Sequence, residues 1–458
     1  MTTKLTAEEP STVYKVLRES TPRLGKLRDF VRPRREKVLP SQVPHLPYVG
    51  MEHVEAHTMR LLGTSEASTM KSSANRFYAG DVLYGRLRPY LNKVLRADFE
   101  GICSPEFIVL PKTSGLHPDF IRYRLNSHDF VTFASHLNAG DRPRVDFDEI
   151  SQFTIAVPSE HEQREAIAYL DEQLSRLDAS VAALLRAQAN LKRYRASVLK
   201  AACEGRLVPT EAELARAEGR TFETGEQLLA RLRGSGAKQV SEPETKGTVT
   251  LPDGWGLASV DMVGDVLLGR QRAPQYLTGD ATRAYLRVAN IKDDRIDFDD
   301  LNSMDFDAAH FAKYRLEPGD ILVSEGQSPE LLGQSAIFHG HSDPLCFQKT
   351  LHRFRAYAAL VTPDFAQLVF RSHLYSGVFR KFGSITTNIG HLTLNRFKAV
   401  WFPLPPLPEQ HRIVAEADRR LSLIRGAEAQ VSANLARAKR LRQSILQAAF
   451  ARPGSAGQ

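Results

Sequence analysis

The sequence predicts an α+β protein made of two similar halves, and three observations support this. The most informative is a repeated helix: Pro158 to Cys203 aligns without a gap with Pro405 to Phe450, with 16 identities in 46 positions. Shorter motifs ahead of each helix also correspond, and both halves contain short β-prone runs punctuated by Gly and Pro. The repeat is far longer than a solenoid unit, so it indicates two half-molecules and a target or partner with two matching halves.

The repeated segments predict two long helices that pack on each other as an antiparallel coiled coil. Apolar residues at alternating steps of four and three form a heptad seam over residues 170–202, interrupted by Gln188 and Arg195, and the seam recurs over 417–449. A helix from His161 to Cys203 would extend roughly 65 Å. Because so long a helix cannot bury its apolar stripe alone, we expect the pair to act as a spacer between two domains. A coiled coil without that role is the alternative. The helix start and stop signals are Pro158 with Glu162-Gln163, Pro405-Pro406 and Pro408 with Glu409-Gln410, Gly205 with Pro209, and Pro453-Gly454.

The segments before the helices predict two α+β domains related by an internal pseudo-two-fold repeat. The matching motifs are Tyr48-Val49 with Tyr285-Leu286, residues 79–83 with 318–322, and 118–120 with 363–365. Predicted strands lie at 107–110, 155–157 and 400–402, and short helices near 120–125 and 365–370. The expected domains are 1–157, a first α+β domain; 158–204, the central long helix; 205–250, a loose linker with a short helix at 225–233; 251–404, a second α+β domain; and 405–458, the distal long helix and tail.

Composition indicates a soluble globular protein with a basic balance. Hydrophobic residues make up 42% and charged residues 25%, the net charge is +8, and the pI is about 9.3. The basic balance favours a nucleic-acid partner, although many basic proteins have none. Three distant cysteines cannot form a disulfide framework or a CxxC metal site, so we expect a cytoplasmic protein. Because no apolar run approaches the ~20 residues that cross a bilayer, no membrane association is expected.

The sequence contains no catalytic motif, so we expect neither catalytic nor metal-binding residues. It lacks a Walker-type phosphate loop, a dinucleotide fingerprint and the Asn-Pro-Pro-aromatic tetrapeptide of amino-methyltransferases. Glu244-Thr245-Lys246 has the Glu-x-Lys spacing of many nucleases, but it lies in the linker without a partner Asp. His339, His341 and Asp343 occupy a polar turn, where solvated side chains are the simpler interpretation. The Glu-Gln pairs in the first turn of each long helix favour capping over catalysis.

Loops with base- and phosphate-binding side chains occur in both halves, and together they favour DNA binding over solvated surface charge. Arg holds a guanine edge or a phosphate with two bonds, Gln pairs with adenine, and Tyr packs on sugar or base. The candidate residues of the first half are Tyr84, Arg86, Arg88, Tyr90, Lys93, Arg142 and Arg144. Those of the second half are Arg270, Gln271, Arg272, Gln327, Ser328, Thr386, Thr387, Asn388 and His391.

The chain as a whole resembles the specificity subunit of a Type I restriction–modification enzyme. The motifs that carry the resemblance are Thr386 to Thr393 running into Phe402 to Gln410, the opening Leu251-Pro252-Asp253-Gly254-Trp255, and the helix exit Gly205 to Pro209. The resemblance covers nearly the whole chain in the order recognition domain, helix, recognition domain, helix. It implies that residues 1–157 and 251–404 are the two target recognition domains. The first half departs from the pattern, because residues 141–145 stand where the second half has 388–392.

The resemblance implies a non-catalytic subunit that selects an asymmetric bipartite DNA site. Two copies of an adenine methyltransferase (modification) subunit would dock on such a chain, and restriction/translocase subunits would join them. S-adenosylmethionine, ATP and Mg²⁺ would then belong to those partners and not to this chain. The alternatives are a specificity chain of a different restriction system, a fused enzyme, and a non-catalytic coiled-coil scaffold that binds only protein.

Overall fold

The structure is a computed structural model that describes residues 22–234, 240–245, 247, 249–386 and 388–450. These residues form two compact units. The first contains the described residues up to Arg186 and those from Val431 onward, and the second runs from Ala187 to Gln430. The two long helices, Glu160–Cys203 and Leu407–Phe450, each contribute one part to each unit. Two α+β units with two long helices confirm the predicted fold class.

Short strands make up the sheets of the first unit. They are β1 (Arg23–Lys26), β2 (Lys37–Val38), β3 (Pro47–Val49), β4 (Ser65–Glu66), β5 (Ala74–Phe77), β6 (Val82–Gly85), β7 (Val94–Arg96), β8 (Gly101–Cys103), β9 (Phe107–Leu110) and β10 (Thr154–Val157). One sheet has the order β2-β5-β8-β3-β4, a second has the order β7-β6-β9, and β1 pairs with β10. Only β3 and β8 are parallel among the pairs described in this unit.

The helices of the first unit pack their apolar faces on one core. They are α1 (Pro118–Asn126), α2 (His128–His136), α3 (Phe147–Ile150) and the first part of α4 (Glu160–Cys203). Pro118 stands in the first turn of α1, where its missing N–H costs no hydrogen bond. Phe120 and Leu125 of this helix are buried with Leu170 and Leu174 of α4, in a core that also includes Leu446.

The linker is less loose than the sequence analysis predicted. It contains two helices, α5 (Glu211–Glu218) and α6 (Gly225–Gly234), where one was expected. Thr210 and Glu213 form a capping box at the start of α5, because each side chain accepts a hydrogen bond from the other's backbone N–H, at 3.2 and 2.8 Å. The buried Glu409 carboxylate also accepts from the Glu211 backbone N–H at 2.8 Å and from Trp255 Nε1 at 2.9 Å.

The strands of the second unit are β11 (Gly256–Ser259), β12 (Gly264–Leu268), β13 (Thr282–Leu286), β14 (Ile291–Lys292), β15 (Arg295–Ile296), β16 (Asn302–Asp305), β17 (Ile321–Ser324), β18 (Gly326–Gln327), β19 (Ser335–Ile337), β20 (Cys346–Phe347), β21 (Leu351–Ala356), β22 (Ser384–Ile385), β23 (Gly390–His391) and β24 (Trp401–Leu404). Their sheets have the orders β12-β21-β17-β19, β16-β13-β20 and β18-β23-β22, and the pairs β11-β24 and β14-β15 stand apart.

An aromatic core fills the second unit. Its helices are α7 (Val260–Val263), α8 (Ala308–Tyr314), α9 (Pro363–Tyr375), α10 (Val378–Phe382), α11 (Leu394–Ala399) and the first part of α12 (Leu407–Phe450). Phe370 of α9 lies within 5.1 to 6.2 Å, between ring centroids, of Phe354, Phe379, Phe397 and Phe402. Aromatic burial of this density dominates the stability of a core.

Equivalent turns show that the two units repeat one fold. Asp81 accepts a hydrogen bond from the Tyr78 backbone N–H at 3.0 Å, and Asp320 accepts one from Glu317 at 2.8 Å. Gly80 and Gly319 precede these aspartates with φ of +93° and +94°, a conformation that L side chains rarely adopt. Both carboxylates are buried against an arginine, Asp81 against Arg34 and Asp320 against Arg355.

The heptad seam is buried in both units. In the first unit, Leu170, Leu174 and Leu177 of α4 share a core with α12 residues Ala438, Leu446 and Ala449. In the second, Val198 and Ala202 of α4 share a core with α12 residues Ala417, Leu421 and Ile424. The early part of each helix therefore packs on the late part of the other, which is the predicted antiparallel arrangement.

Candidate nucleic-acid interface

Two of the loops singled out in the first half meet in the structure. The Val145 backbone N–H donates to the Arg86 carbonyl at 3.0 Å, and the Arg88 N–H donates to the Pro143 carbonyl at 2.7 Å. Leu87 and Arg144 form an antiparallel bridge between them. Residues 86–88 and 143–145 are therefore a paired segment, called here the first paired loop.

The second unit contains the same pairing. The Leu392 N–H donates to the Glu325 carbonyl at 2.7 Å, and Gly326 pairs with His391 where β18 meets β23. Residues 325–327 and 390–392 are called the second paired loop. Its edge extends into the hairpin β22-β23, where Ser384 pairs with His391. Two candidate regions that are distant in sequence thus come together in each unit.

The candidates in and beside the first paired loop differ in what they can contact. Tyr90 and Arg142 are exposed, and Arg142 has no ionic partner among the residues that the structure describes. Arg144 is exposed and forms an ion pair with Glu106 at 2.5 Å. Arg88 is half-buried in a left-handed conformation, with φ of 51°. Arg86 is half-buried, and its Nε donates to the Val145 carbonyl at 3.1 Å. Tyr90, Arg142 and Arg144 are therefore the accessible groups.

The structure corrects the placement of Tyr84 and Lys93. Tyr84 lies within β6 and is 1% exposed, so it belongs to the core and not to a loop. Its ring packs edge-on against Phe130, and burial raises the pKa of its hydroxyl well above the usual range. Lys93 is half-buried, and its Nζ donates to the Met51 carbonyl at 2.5 Å. Strand alternation puts Tyr84 on the same face of β6 as Val82, and both side chains lie in one hydrophobic core.

Arg270 is also buried, in contrast to its predicted role on a flexible loop. Its guanidinium lies 4.0 Å from the Tyr276 ring centroid and donates to the Asp305 carbonyl at 2.5 Å. The neighbouring Gln271 and Arg272 are exposed. Arg270 therefore supports the fold beneath this segment, and its two neighbours are the groups that a ligand can reach.

The second paired loop carries polar and apolar side chains in place of arginines. Asn388, Thr386 and His391 are exposed, and His391 Nδ1 lies 3.4 Å from a Glu325 carboxylate oxygen. Gln327 and Ser328 are half-buried, and the Gln327 side-chain carbonyl accepts from the Ser328 N–H at 3.1 Å. Thr387 lies outside the described residues.

Two exposed apolar residues at this hairpin were missed by the sequence analysis. Ile385 is 44% exposed and Ile389 is 51% exposed, on either side of the polar turn. Exposed side chains of this size are ordinary singly, and each of these two lies next to a polar residue of the turn, Thr386 or Asn388. Alternation along the hairpin was the signal that could have identified them.

A buried histidine, His352, holds the second paired loop through a hydrogen bond to its backbone. His352 Nε2 lies 2.6 Å from the Leu392 carbonyl, which requires the N–H on that nitrogen. Burial lowers the pKa of His352 to about 4, and burial likewise lowers that of His373, whose Nε2 bonds the Trp401 carbonyl at 2.9 Å, to about 4. Both rings are neutral near pH 7, so they act as fixed hydrogen-bond donors.

The glutamines of the Glu-Gln pairs hold each long helix to its own unit. The Gln163 side chain accepts from the His117 N–H at 2.7 Å and donates to the Gly115 and Pro158 carbonyls at 3.0 and 2.9 Å. Gln410 repeats these bonds with Thr362, Leu360 and Pro405 at 2.9, 2.8 and 3.0 Å. Glu162 does cap its helix, accepting from the Ser159 N–H at 2.8 Å.

The polar turn at residues 339–343, which the sequence suggested as a mimic of a metal cluster, is held by its own hydrogen bonds. His341 and Asp343 bond each other in a turn, with the Asp343 N–H donating to His341 Nδ1 at 3.1 Å. Among those residues, no three His, Cys, Asp or Glu side chains are grouped so as to hold a metal ion. No helix within the described ranges is long and apolar enough to cross a membrane.

Comparison with known proteins gives consistent similarities. Residues 278–422 match the family model described as the Type I restriction modification DNA specificity domain. The chain is 25% identical over 215 residues to the EcoDI specificity subunit of a Type I restriction enzyme from Escherichia coli, covering 45% of this chain and 48% of the relative. It is 27% identical over 342 residues to the StySPI specificity subunit from Salmonella potsdam, covering 73% of this chain and 65% of the relative. The matches thus span from about half to just under two thirds of these relatives' lengths.

A solved structure shares the fold across most of the chain. It is a chain from work on complex assembly and conformational transition of the type I R-M system, and it matches with a TM-score of 0.68 at 19% identity. The match covers 93% of this chain and 97% of that chain. At this identity the similarity concerns the fold alone.

Proposed function

Since the chain belongs to the Type I restriction–modification specificity subunits, we propose that it binds an asymmetric bipartite DNA site, with one half-site read by each recognition domain. The observation that carries the proposal is the recurrence of one loop pairing in both units, Val145 to Arg86 and Leu392 to Glu325. Each pairing brings distant candidate loops onto one edge. Because the exposed groups differ between the two loops, the two half-sites should differ in sequence.

The long helices set the gap between the half-sites in this proposal and dock two methyltransferase subunits. Their seam is buried, which leaves the outer faces of both helices for partners. The chain itself is non-catalytic. S-adenosylmethionine, ATP and Mg²⁺ belong to the methyltransferase and to the restriction/translocase subunits. The domain limits 1–157, 158–204, 205–250, 251–404 and 405–458 remain part of the proposal.

Single substitutions in each exposed loop test the assignment of half-sites. Arg142→Ala in the first unit and Asn388→Ala in the second remove exposed side chains without touching the loop pairing. If each reads a base, each variant loses about 1–3 kcal/mol of binding and relaxes sequence preference in one half-site only. The readout is methylation footprinting with the modification subunits present.

Arg272→Ala is a further test variant in the second unit. Arg60→Ala is the matched control, because Arg60 is a surface arginine of the first unit that pairs with Glu55 at 2.9 Å. Arg60→Ala should leave both half-sites unchanged, whereas Arg272→Ala should act only on the second. Relaxation of both half-sites by a single substitution would contradict the assignment of one half-site to each domain.

A further inference from the structure

Unpaired arginines in the first recognition domain fall in two places. Within residues 22–157, Arg34, Arg60, Arg76, Arg96, Arg122, Arg124 and Arg144 form ion pairs with carboxylates. The arginines of that range without a carboxylate partner among the described residues are Arg86, Arg88 and Arg142 at the first paired loop, and Arg23, Arg28, Arg32 and Arg35 near the beginning of the described chain. The second group is not explained by the paired loop.

Four exposed basic residues form a basic strip, defined as Arg28, Arg32, Arg35 and Lys37. Arg34, which lies among them, points instead to the buried Asp81, with Nε 3.0 Å from its carboxylate. Nine residue steps of extended chain span at most about 30 Å. Because residues 27–29 form a 3-10 helix, the strip is shorter than this limit, and its four positive charges lie within less than one turn of a DNA duplex, roughly 34 Å.

Strand register connects the strip to the first paired loop at both ends. The Arg28 N–H donates to the Ser151 carbonyl at 3.3 Å, and Ser151 is the residue directly after the short helix α3 that follows Val145. At the other end Lys37 pairs with Asn75, whose side-chain amide donates to the Phe107 carbonyl at 3.0 Å. Phe107 in turn pairs with Gly85, the residue before the first paired loop.

The fold does not require these charges. The Leu27 N–H bonds the Phe153 carbonyl, and Val260 bonds Val400 in the same way in the second unit. By this correspondence Asp261 stands at the position of Arg28. Arg34 bridges to Val109 in the way that Leu267 pairs with Arg353, so Arg34 corresponds to Leu267. Two positions earlier in each unit, Asp265 therefore stands at the position of Arg32. The same backbone accepts acidic residues, and the positive charge in the first unit therefore needs another explanation.

We propose that the basic strip binds the phosphate backbone of duplex DNA beside the half-site read by the first paired loop, without reading bases. This deepens the proposed function and rests on it. Exposed Arg and Lys without carboxylate partners are free to replace condensed counterions on DNA. Such phosphate contacts fix the register of a protein on the duplex while base contacts supply specificity. The second unit, with acidic residues at two of these positions, lacks the equivalent contact.

The test compares salt dependence in two full-length variants with the same loss of charge. The strip variant is R28Q/R32Q/R35Q/K37Q. The control is K71Q/R295Q/K313Q/R315Q, which removes four exposed positive charges elsewhere. Binding is measured from 50 to 200 mM salt on a duplex with the methylated motif and on one with both half-sites scrambled. For the strip variant we expect the slope of log K against log salt to fall by about three on both duplexes.

The same assay shows which part of the account fails. We expect the ratio of affinities for the two duplexes to stay within about twofold of wild type, and the control slope to change by less than about one. Equal slopes in the strip variant and the control would overturn the strip proposal, as would loss of the affinity ratio at unchanged slope. R28K/R32K/R35K should restore the slope, which separates charge from misfolding. A wild-type chain that did not distinguish the duplexes would refute the proposed function, while the slopes would still test the strip.

Discussion

Arg195 of α4 and Glu428 of α12 form an ion pair at seam positions of the coiled coil in the second unit. Arg195 also bonds Asp293 at 2.7 Å. The repeat equivalent of Arg195 is Arg442, which pairs in the first unit with Asp178 because Val181 occupies the position equivalent to Glu428. The seam arginine is thus kept in both copies, and its carboxylate partner differs.

This asymmetry predicts that substitution of Arg195 lowers the free energy of unfolding more than substitution of Glu428 does. Arg195→Ala leaves Glu428 without its cation, while Asp293 keeps Arg371 at 3.4 Å, and the change should destabilise the second unit by about 1–3 kcal/mol. Glu428→Val, which copies the first unit, leaves Arg195 bonded to Asp293 and should cost less than about 1 kcal/mol. Urea unfolding measures both, with the exposed Arg193→Ala as control. A larger loss for Glu428→Val would contradict this account.

Loss of the Gln410 side chain should destabilise the protein more than loss of an ordinary helix cap does. Its side chain satisfies the Thr362 N–H and the Leu360 and Pro405 carbonyls, and it is 0% exposed. Gln410→Leu leaves these buried backbone groups without hydrogen-bond partners, and each unpaired group costs about 1–3 kcal/mol. We therefore expect the free energy of unfolding to fall by about 3 kcal/mol. Hydrogen exchange should show faster opening around Thr362, and Gln163→Leu should do the same around His117. A loss below about 1 kcal/mol for both would show that water replaces these bonds.

Acid should destabilise the second unit through its buried histidines. The folded pKa of His352 and of His373 is about 4, below the usual 6.5, so the unfolded state binds more protons between these values. The contribution of the two neutral histidines to the free energy of unfolding is fully present above about pH 6.5 and is lost as pH drops toward 4. Each histidine contributes about 1.4 kcal/mol per pH unit to the slope in that window. His352→Gln should remove one such contribution in urea titrations from pH 7 to 4.5. An unchanged slope would mean that His352 is not buried as a neutral donor.

The spacer role of the helices predicts a change of gap without a change of half-site. A heptad inserted into both long helices, after Arg186 and after Gln430, keeps the seam in phase and adds about 10 Å of helix. We expect the gap to grow by about three base pairs, at 3.4 Å per step, with each half-site sequence unchanged. A heptad in one helix alone should change the gap or break assembly. Altered half-site bases in the methylation footprint would contradict the spacer role.

Local patterns in the sequence predicted the regular elements well and the loops poorly. The strand Phe107–Leu110 and both long helices follow from periodicity, which the fold obeys. The helix Glu211–Glu218 was missed although Thr210 and Glu213 have capping-box spacing. The burial of Arg270 depends on the Tyr276 ring and the Asp305 carbonyl, contacts that no local pattern specifies.

The pairing of the candidate loops could not be predicted for a related reason. Val145 and Arg86 are 59 residues apart, and their hydrogen bond depends on how the intervening strands and helices are arranged. The repeat offered one indirect signal, because Leu392 and Glu325 lie at equivalent positions. Sequence comparison of the halves aligns such positions but does not reveal that they touch.

Methylome sequencing of cells that express this chain with its modification subunit, beside a strain that lacks the chain, tests the central claim most directly. The account predicts one asymmetric bipartite motif with N6-methyladenine in both halves, and its complete loss without the chain. Methylation that persists without the chain, or a single palindromic motif, would contradict the assignment of one half-site to each recognition domain.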